Sequence, residues 1–261
     1  MNKRIYWANL KFFLSKKLVV FLGILVFSFS ALHAEWDPES CFLDESEAVL
    51  NELNNADYKF WKNTMKDYLK QSWCSQEKID LLMDVVLVTK PKVCVEIGAF
   101  SGSSVLPIGL ALKFLGSGRI YAIDAWSNTE VIKYLAHDDP NTAWWYRVNM
   151  DEAYNTFQNR INKYRLNNIC TVIRGSSVVA ANQVDQIDFL HLDGDFSEKG
   201  SLQDLDFYLP KVKEGGYILL SNVLMMIDGK QPKLKAFCSL FETCELIAEI
   251  DNSNTALFKK M

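Results

Sequence analysis

The sequence predicts an α/β fold in which a doubly wound, mostly parallel sheet carries a ligand site at the carboxyl ends of its strands. Short apolar runs alternate with longer amphipathic segments between about residues 75 and 260. A glycine-containing loop follows the first run, within KVCVEIGAFSGSS from Lys92 to Ser104. Acidic residues close two later runs, Asp124 and Asp193. Ligands of doubly wound sheets bind at this edge, so these residues mark the expected site.

The first strand and its loop have the composition of a ligand-binding turn. The β-branched run Val93–Ile97 is typical of a strand buried on both faces. Gly98 and Gly102 allow a sharp turn and a close approach of the ligand to the backbone. Ser103 or Ser104 is predicted to cap the next helix, whose first N–H groups would face polar ligand atoms. The alternative on this stretch alone is that the glycines only shape a loop.

Further strands and helices follow in alternation. The predicted strands are Arg119–Trp126, Cys170–Arg174, Ile187–Asp195, Tyr217–Leu220, Cys244–Ile250 and Thr255–Lys259. The predicted helices are Asp151–Leu166, Ala180–Val184, Leu202–Val212 and Lys233–Leu240, and Gly215-Gly216 is a predicted turn. Asp124 ends the second strand, where an acidic side chain can accept hydrogen bonds from both ribose hydroxyls. The alternative is a solvated or helix-capping aspartate.

Two segments outside these strands are predicted to cover the site. Residues 35–74 are acidic and aromatic and predict a helical extension over the domain edge or the ligand cleft. Ser75 is predicted to cap the next helix, which Thr89 to Pro91 end. The long connection Ser127 to Tyr146 contains two adjacent tryptophans and predicts a lid or a substrate wall, with core packing as the alternative.

The amino-terminal 34 residues have the pattern of a leader. Five basic side chains precede the uncharged apolar segment Leu18 to Leu32, and Ala31 and Ala34 offer a small-residue cleavage site. We expect a signal peptide or a signal anchor, so the protein would be exported or attached to a membrane through residues 18–32. The segment is short against a span of about 20 residues, which favours cleavage. A buried helix in a cytoplasmic protein is the alternative.

Charge and cysteine content exclude other classes of site. Residues 35–261 carry 23 basic and 32 acidic side chains, which argues against a nucleic-acid partner. Without a Cys-x-x-Cys motif or a histidine-rich cluster, no structural zinc site is expected. Cys94 and Cys170 fall inside predicted strands, where a free thiol packs as a small apolar group. The candidate disulfides are Cys41 with Cys74 and Cys238 with Cys244.

Taken together, the stretches VEIGAFSG, YAIDAW, IDFLHLDGD, GGYILLSN and NTALFKK resemble the class I S-adenosylmethionine-dependent methyltransferases. The resemblance covers about Ser75 to Lys260 and is strongest to the small-molecule O-methyltransferase branch that includes the macrocin O-methyltransferases. It implies a Rossmann-like seven-stranded sheet, mostly parallel with an antiparallel last strand, over residues 75–261. It also implies S-adenosylmethionine as cofactor and a small-molecule acceptor.

The resemblance assigns cofactor positions residue by residue. The implied cofactor-binding residues are Glu96, Gly98, Ala99, Gly102, Ser103, Asp124, Gly175 and Ser176. The first five belong to the motif whose backbone holds the amino-acid end of the cofactor. Asp124 matches the ribose ligand, and the Gly175-Ser176 turn matches the position near the adenine.

Two positions depart from the family pattern. Relatives often follow the fourth strand with Asp-Gly-x-His, and Phe196 stands in the place of that histidine. They often end the fifth strand with paired aspartates, which join the fourth-strand aspartate on a divalent cation, whereas this chain has Ser221-Asn222. Hard cations prefer several oxygen ligands with carboxylates among them. Asp193, Asp195 and Asn222 could form a weak site, so a divalent cation stays an open alternative and no metal ligands are assigned.

The acceptor half of the site leaves the function more open than the cofactor half. Asp193 is the first candidate for a base or an orienting group, and His191, two residues earlier on the same strand face, is the second. A structural histidine within the strand is the alternative for His191. We expect methyl transfer to a hydroxyl of a small molecule or sugar. The alternative is a catalytically silent binding module or a secreted effector, and the glycine spacing disfavours a nucleotide-dependent oxidoreductase.

Overall fold

The computed structural model describes residues 51–138, 140–227 and 229–261, which lie in the compact unit Ala34–Met261. The leader, with its apolar segment Leu18 to Leu32, lies outside the described residues, as does Cys41. Within the described ranges, every helix is too short or too polar to cross a lipid bilayer. Export or membrane attachment therefore stays a prediction.

Seven strands form one sheet in the order β3-β2-β1-β4-β5-β7-β6. They are β1 (Val93–Ile97), β2 (Arg119–Asp124), β3 (Cys170–Arg174), β4 (Ile187–Leu192), β5 (Val212–Ser221), β6 (Cys244–Ile250) and β7 (Thr255–Lys260). Strands β1 to β5 pair in parallel, and β7 runs antiparallel to both of its neighbours, β5 and β6. This confirms the predicted Rossmann-like seven-stranded sheet with an antiparallel last strand.

Helices connect the strands and cover the sheet. They are α1 (Ala56–Leu69), α2 (Gln76–Thr89), α3 (Val105–Leu115), α4 (Asn128–Val131), α5 (Pro140–Arg147), α6 (Met150–Lys163), α7 (Ser177–Ala180), α8 (Glu198–Tyr208) and α9 (Leu234–Leu240). Helix α2 begins as predicted, because the Ser75 hydroxyl accepts a hydrogen bond from the Lys78 amide at 2.9 Å. The connection predicted as a lid or wall contains α4 and α5.

The chain reverses direction across the sheet between β1 and β4. From β1 the chain adds β2 and then β3 on one side, and it returns to place β4 and β5 on the other. The register pairs Glu96 with His191 and Ile97 with Leu192, so both strands end at the same level. A crevice opens at such a switch point because the loops on either side diverge.

The fifth strand begins earlier than the sequence predicts. Gly215 and Gly216, predicted as a turn, lie inside β5. The pairing of β4 with β5 shifts register between Ile187 and Phe189, and Gly215 has a φ of +75°. The two glycines therefore accommodate an irregularity in a strand that continues through them.

The cysteines of the described part of the chain are free thiols. Cys238 lies on α9 and Cys244 begins β6, where its sulfur is buried and 3.7 Å from the Thr243 hydroxyl. The candidate disulfide between them is therefore wrong, since both are free thiols. Cys74 is also a buried free thiol. Cys94 in β1 and Cys170 in β3 are buried and free, as predicted.

Candidate active site

A cavity of about 770 Å³ lies at the carboxyl ends of the parallel strands. Its walls come from the loop after β1, the end of β2, the loop after β3 and the end of β4. Asn222 after β5 and Lys78 from α2 complete it. This volume lies in the range of pockets that bind cofactor-sized molecules.

The loop after β1 approaches the end of β4 so closely that a side chain would not fit. Gly98 has a φ of +91°, and a Cβ there would lie 2.6 Å from the backbone oxygen of Asp193. Gly102 has a φ of +80°, and its Cβ would meet the Phe157 ring at 2.8 Å. Gly98, Ala99 and Ser103 line the cavity, whereas Gly102 packs against Phe157 behind it. The first glycine therefore lets the loop pack against the backbone after β4, and the second lets it pack against Phe157.

Asp124 lies at the end of β2 and holds the same loop. One carboxylate oxygen accepts from the Phe100 amide at 2.8 Å and the other from the Trp126 amide at 2.7 Å. Burial raises the pKa of Asp124 above its ordinary value, against the lowering effect of these two amides. Each carboxylate oxygen retains acceptor capacity, and the side chain lines the cavity. Asp124 can thus receive ribose hydroxyls, as its position in the sequence predicts.

Glu96 lies beneath the loop and does not line the cavity. Its side chain is fully buried, and one oxygen accepts from the Ser104 hydroxyl at 2.6 Å. Ser104 occupies the amino-terminal cap position of α3, but its hydroxyl bonds to Glu96 in place of capping the helix. The predicted cap is wrong at Ser104, because this residue has helical backbone angles, φ −99° and ψ −32°, and its hydroxyl makes no capping hydrogen bond. Glu96 supports the backbone of the cofactor loop from below.

The turn after β3 lines the opposite end of the cavity. Gly175 donates its amide to the Asp124 carbonyl at 2.9 Å, which ties this turn to the end of β2. Ser176 caps the short helix α7. Both residues line the cavity, at the positions expected to be near an adenine.

Asp204 of α8 lies behind this turn as a buried carboxyl group that also reaches the cavity wall. The Ser177 hydroxyl donates to it. Burial raises the pKa of Asp204 to about 6 despite that hydrogen bond. The sequence does not single out this residue, since it is one of several acidic side chains on a predicted helix.

Asp193 and Lys78 form a part-buried ion pair on the side of the cavity next to β4 and β5. The Lys78 ammonium lies 2.8 Å from one carboxylate oxygen of Asp193, and Asn222 donates its side-chain amide to the other at 2.5 Å. Burial alone would raise the pKa of Asp193, but the positive charge of Lys78 brings it below its ordinary value. Burial alone would lower the pKa of Lys78, but Asp193 raises it. Both groups are therefore charged near neutral pH.

His191 is fully buried within β4 and does not line the cavity. Its Nε2 lies 2.9 Å from the Ser221 hydroxyl and 3.7 Å from an oxygen of Asp193, and its Nδ1 lies 3.4 Å from Glu96. An acceptor in the cavity would not contact this ring. Any influence of His191 on the chemistry would therefore act through Asp193, and a catalytic role for it stays a prediction.

The acceptor half does not fit a divalent cation. Within the three described ranges, no group of three or more His, Cys, Asp and Glu side chains is arranged to hold a metal. Asp195 accepts from the amide and the hydroxyl of Ser197, and so it stabilises the start of α8. Asn222 directs its N–H group toward Asp193, and the Lys78 ammonium occupies the remaining oxygen. A cation would have to displace both donors.

Five aromatic side chains form one side of the cavity, which we call the aromatic wall. They are Trp73, Phe100, Trp144, Trp145 and Phe196. Trp73 stacks on Phe100 with ring centroids 5.2 Å apart, and Phe196 stacks on Trp145 at 5.3 Å. Helix α5 therefore contributes its tryptophans to the cavity wall, as the sequence predicts for this connection.

Comparison with known proteins finds a family model that matches the central part of the chain. Residues 95–223 match the model of a family described as a methyltransferase domain. This segment is similar to methyltransferase domains. The matched range begins in β1 and ends after β5, so it contains Asp124, Asp193 and Asn222, whereas Lys78 lies before it. No curated protein matches the chain.

Solved structures share the fold of this chain. Podospora anserina methyltransferase PaMTH1, solved with S-adenosylhomocysteine (SAH), is 14% identical with a TM-score of 0.52, covering 85% of this chain and 92% of its own. The O-methyltransferase TomG from Streptomyces achromogenes, solved with S-adenosylmethionine, is 13% identical with a TM-score of 0.54, covering 85% and 93%. The Bacillus cereus O-methyltransferase, solved with SAH, is 13% identical with a TM-score of 0.51, covering 85% and 95%.

Proposed function

We propose that the protein transfers the methyl group of S-adenosylmethionine to a hydroxyl oxygen of a small molecule or sugar. One observation carries the proposal: a single cavity joins a nucleoside half, built on Asp124, to an acceptor half, built on Asp193 and Lys78. The solved O-methyltransferases of the same fold support this reaction class.

The residues of the nucleoside half suit this cofactor. The Asp124 carboxylate would accept the ribose hydroxyls, and the Gly175-Ser176 turn would border the adenine. Gly98, Ala99 and Ser103 line the cavity, so the backbone of this loop would face the amino-acid end of the cofactor. The cofactor would supply an electrophilic methyl group on a sulfonium.

In the acceptor half, we propose that Asp193 orients the acceptor hydroxyl by accepting its hydrogen bond. Holding two reactants in line contributes a large share of the rate of such transfers. A general base adds roughly a hundred- to ten-thousand-fold when its pKa is near the working pH. The lowered pKa of Asp193 makes it a weak base, so we assign the larger contribution to alignment.

Isothermal titration with S-adenosylmethionine and SAH tests the cofactor site. We expect saturable binding of both and, in Asp124→Ala, binding weaker by roughly ten- to a hundredfold, because hydrogen bonds to a charged group are lost. Asp151→Ala is the matched control, since this exposed carboxylate lies on α6 away from the cavity lining. Thermal melts establish that each variant is folded.

Two results would reject the proposal. One is the lack of binding at millimolar cofactor, and the other is equal affinity in wild type and Asp124→Ala. Methyl transfer to any member of a panel of phenols and sugars would exclude a catalytically silent binding module.

We further propose that the mature chain is exported or membrane-anchored, on the strength of the charge and hydropathy pattern of residues 1–34. Mass spectrometry of the native protein is the test. An amino terminus at Glu35 would establish cleavage, an intact terminus in the membrane fraction would establish an anchor, and an intact terminus in the cytoplasm would reject both.

A further inference from the structure

Lys78 is a buried cation that nevertheless faces the cavity. It lies at the start of α2, and only 6% of its side chain is exposed. Its ammonium has three N–H donors, and within the described part of the chain one of them is used, toward Asp193 at 2.8 Å. The side chain lines the cavity. Two donors are thus left to face a molecule bound in the acceptor half.

The position of this ammonium is set by two adjacent strands. Asp193 follows β4, and Asn222 follows β5 with a φ of +63°, a conformation that asparagine tolerates better than most residues. The Asn222 side-chain amide bonds to one oxygen of Asp193 while Lys78 bonds to the other. The three side chains form a compact group, which we call the Lys78 cluster. Its aspartate faces two donors, so its charge is already balanced.

We propose that Lys78 is the resident cation of the acceptor half: its ammonium donates to the acceptor oxygen and stabilises the negative charge that develops there, so no divalent cation is needed. The inference rests on the proposed methyl transfer and specifies how this chain achieves it. A positive charge fixed in a partly dry cavity stabilises an oxyanion without reorganisation during the reaction.

The bonds, the proton and the charge of the proposed methyl transfer can all be accounted for within the site. The acceptor O–H bond breaks and its proton passes to the Asp193 carboxylate, while Lys78 stays protonated. The acceptor oxygen forms a bond to the methyl carbon as the carbon–sulfur bond breaks. The electron pair of that bond stays on sulfur, so the sulfonium leaves as a neutral thioether. Asp193 then returns the proton to water at the mouth of the cavity.

Binding of Mn²⁺, followed by electron paramagnetic resonance on the full chain saturated with SAH, tests whether the ammonium excludes a cation. We expect no binding at millimolar Mn²⁺ in wild type or in Asn222→Asp, because the Lys78 ammonium occupies an oxygen of Asp193 and its positive charge repels the ion. The double variant Lys78→Met with Asn222→Asp has two carboxylates without the ammonium. We expect it to bind at least roughly tenfold more tightly than Asn222→Asp.

SAH affinity and thermal melts establish that these variants are folded. The proposal is overturned if wild type binds Mn²⁺ at micromolar concentrations, or if Asn222→Asp binds as tightly as the double variant. If wild type did not bind SAH, the proposed function itself would fail. SAH binding therefore tests the proposed function, and Mn²⁺ binding tests the role of Lys78.

Turnover tests the catalytic role, with catechol and methyl glucoside as probe acceptors. We expect rates insensitive to millimolar EDTA, kcat lower by roughly a hundredfold in Lys78→Met, and partial recovery in Lys78→Arg, with an unchanged KM for S-adenosylmethionine. Lys235→Met is the control, since this exposed lysine lies on α9 away from the cavity lining. A requirement for added Mg²⁺ would overturn the proposal. If neither probe reacts, the Mn²⁺ measurement decides.

Discussion

Asp204 links the stability of this protein to pH through one buried carboxyl group. Its pKa is about 6 in the folded chain against an ordinary value of 3.8. Because the folded-state pKa is raised, the stabilising effect of its protonation is complete below pH 3.8 and is lost as pH rises through about 6. The loss amounts to about 3 kcal/mol.

We expect Asp204→Asn to remove the contribution of this carboxyl group to the pH dependence of stability. Urea denaturation should show the free energy of unfolding of the variant, relative to wild type, rising by about 3 kcal/mol between pH 4 and pH 7. Asp206→Asn, at an exposed position on the same helix, is the control. An identical pH dependence of wild type and Asp204→Asn would contradict the assignment.

Single residues differ in how far the sequence reveals their roles. Gly98 and Asp124 can be predicted because the motif that contains them is local and its backbone demands are specific. Lys78 cannot, because its partner lies 115 residues away and a lysine on a helix is ordinarily solvated. The sequence position of Glu96 also does not reveal that its side chain lies under the loop.

At the scale of an element, helix α5 carries two adjacent tryptophans with different environments. Trp145 is 7% exposed and stacks on Phe196, whereas Trp144 is 48% exposed. Truncating a buried aromatic removes its transfer free energy and leaves a cavity. An exposed side chain loses much less on truncation.

We therefore expect Trp145→Ala to lower the free energy of unfolding by about 3 to 5 kcal/mol and Trp144→Ala by less than about 1 kcal/mol. Guanidinium denaturation followed by far-UV circular dichroism measures both. Equal losses of unfolding free energy in the two variants would contradict the buried position of Trp145 and the exposed position of Trp144.

Elements of regular pattern can be predicted, and those with local irregularity cannot. The sequence predicts β3 and β6 with the bounds that the structure has, since apolar runs and turn residues delimit them. It misses the first half of β5, because two glycines ordinarily signal a turn, whereas here they lie where the register of β5 with β4 shifts.

The whole molecule depends on its last strand, because β7 is interior to the sheet. It pairs with β5 and β6, and Ala256, Leu257 and Phe258 are fully buried. Lys260 also donates to two carbonyl oxygens before and at the start of β5. Removing β7 would detach β6 and expose the edge of β5.

We expect deletion of residues 255–261 to abolish cooperative folding. Deletion of Met261 alone, whose side chain is 60% exposed, should leave the melting transition within a few degrees of wild type. Circular dichroism melts and gel filtration of both truncations provide the comparison. A monomeric, cooperatively melting chain without β7 would contradict the interior role of that strand.

The two buried thiols of the parallel strands can report how often different parts of the sheet open. Burial raises the pKa of Cys94 well above its usual range and that of Cys170 to about 12, so neither is reactive while the sheet is closed. Cys170 lies on the edge strand and Cys94 on a central one. A thiol reagent would therefore label Cys170 each time the edge of the sheet opens, and Cys94 only when its centre opens. The ratio of the two labelling rates measures how steeply kinetic protection increases from the rim of the protein to its middle.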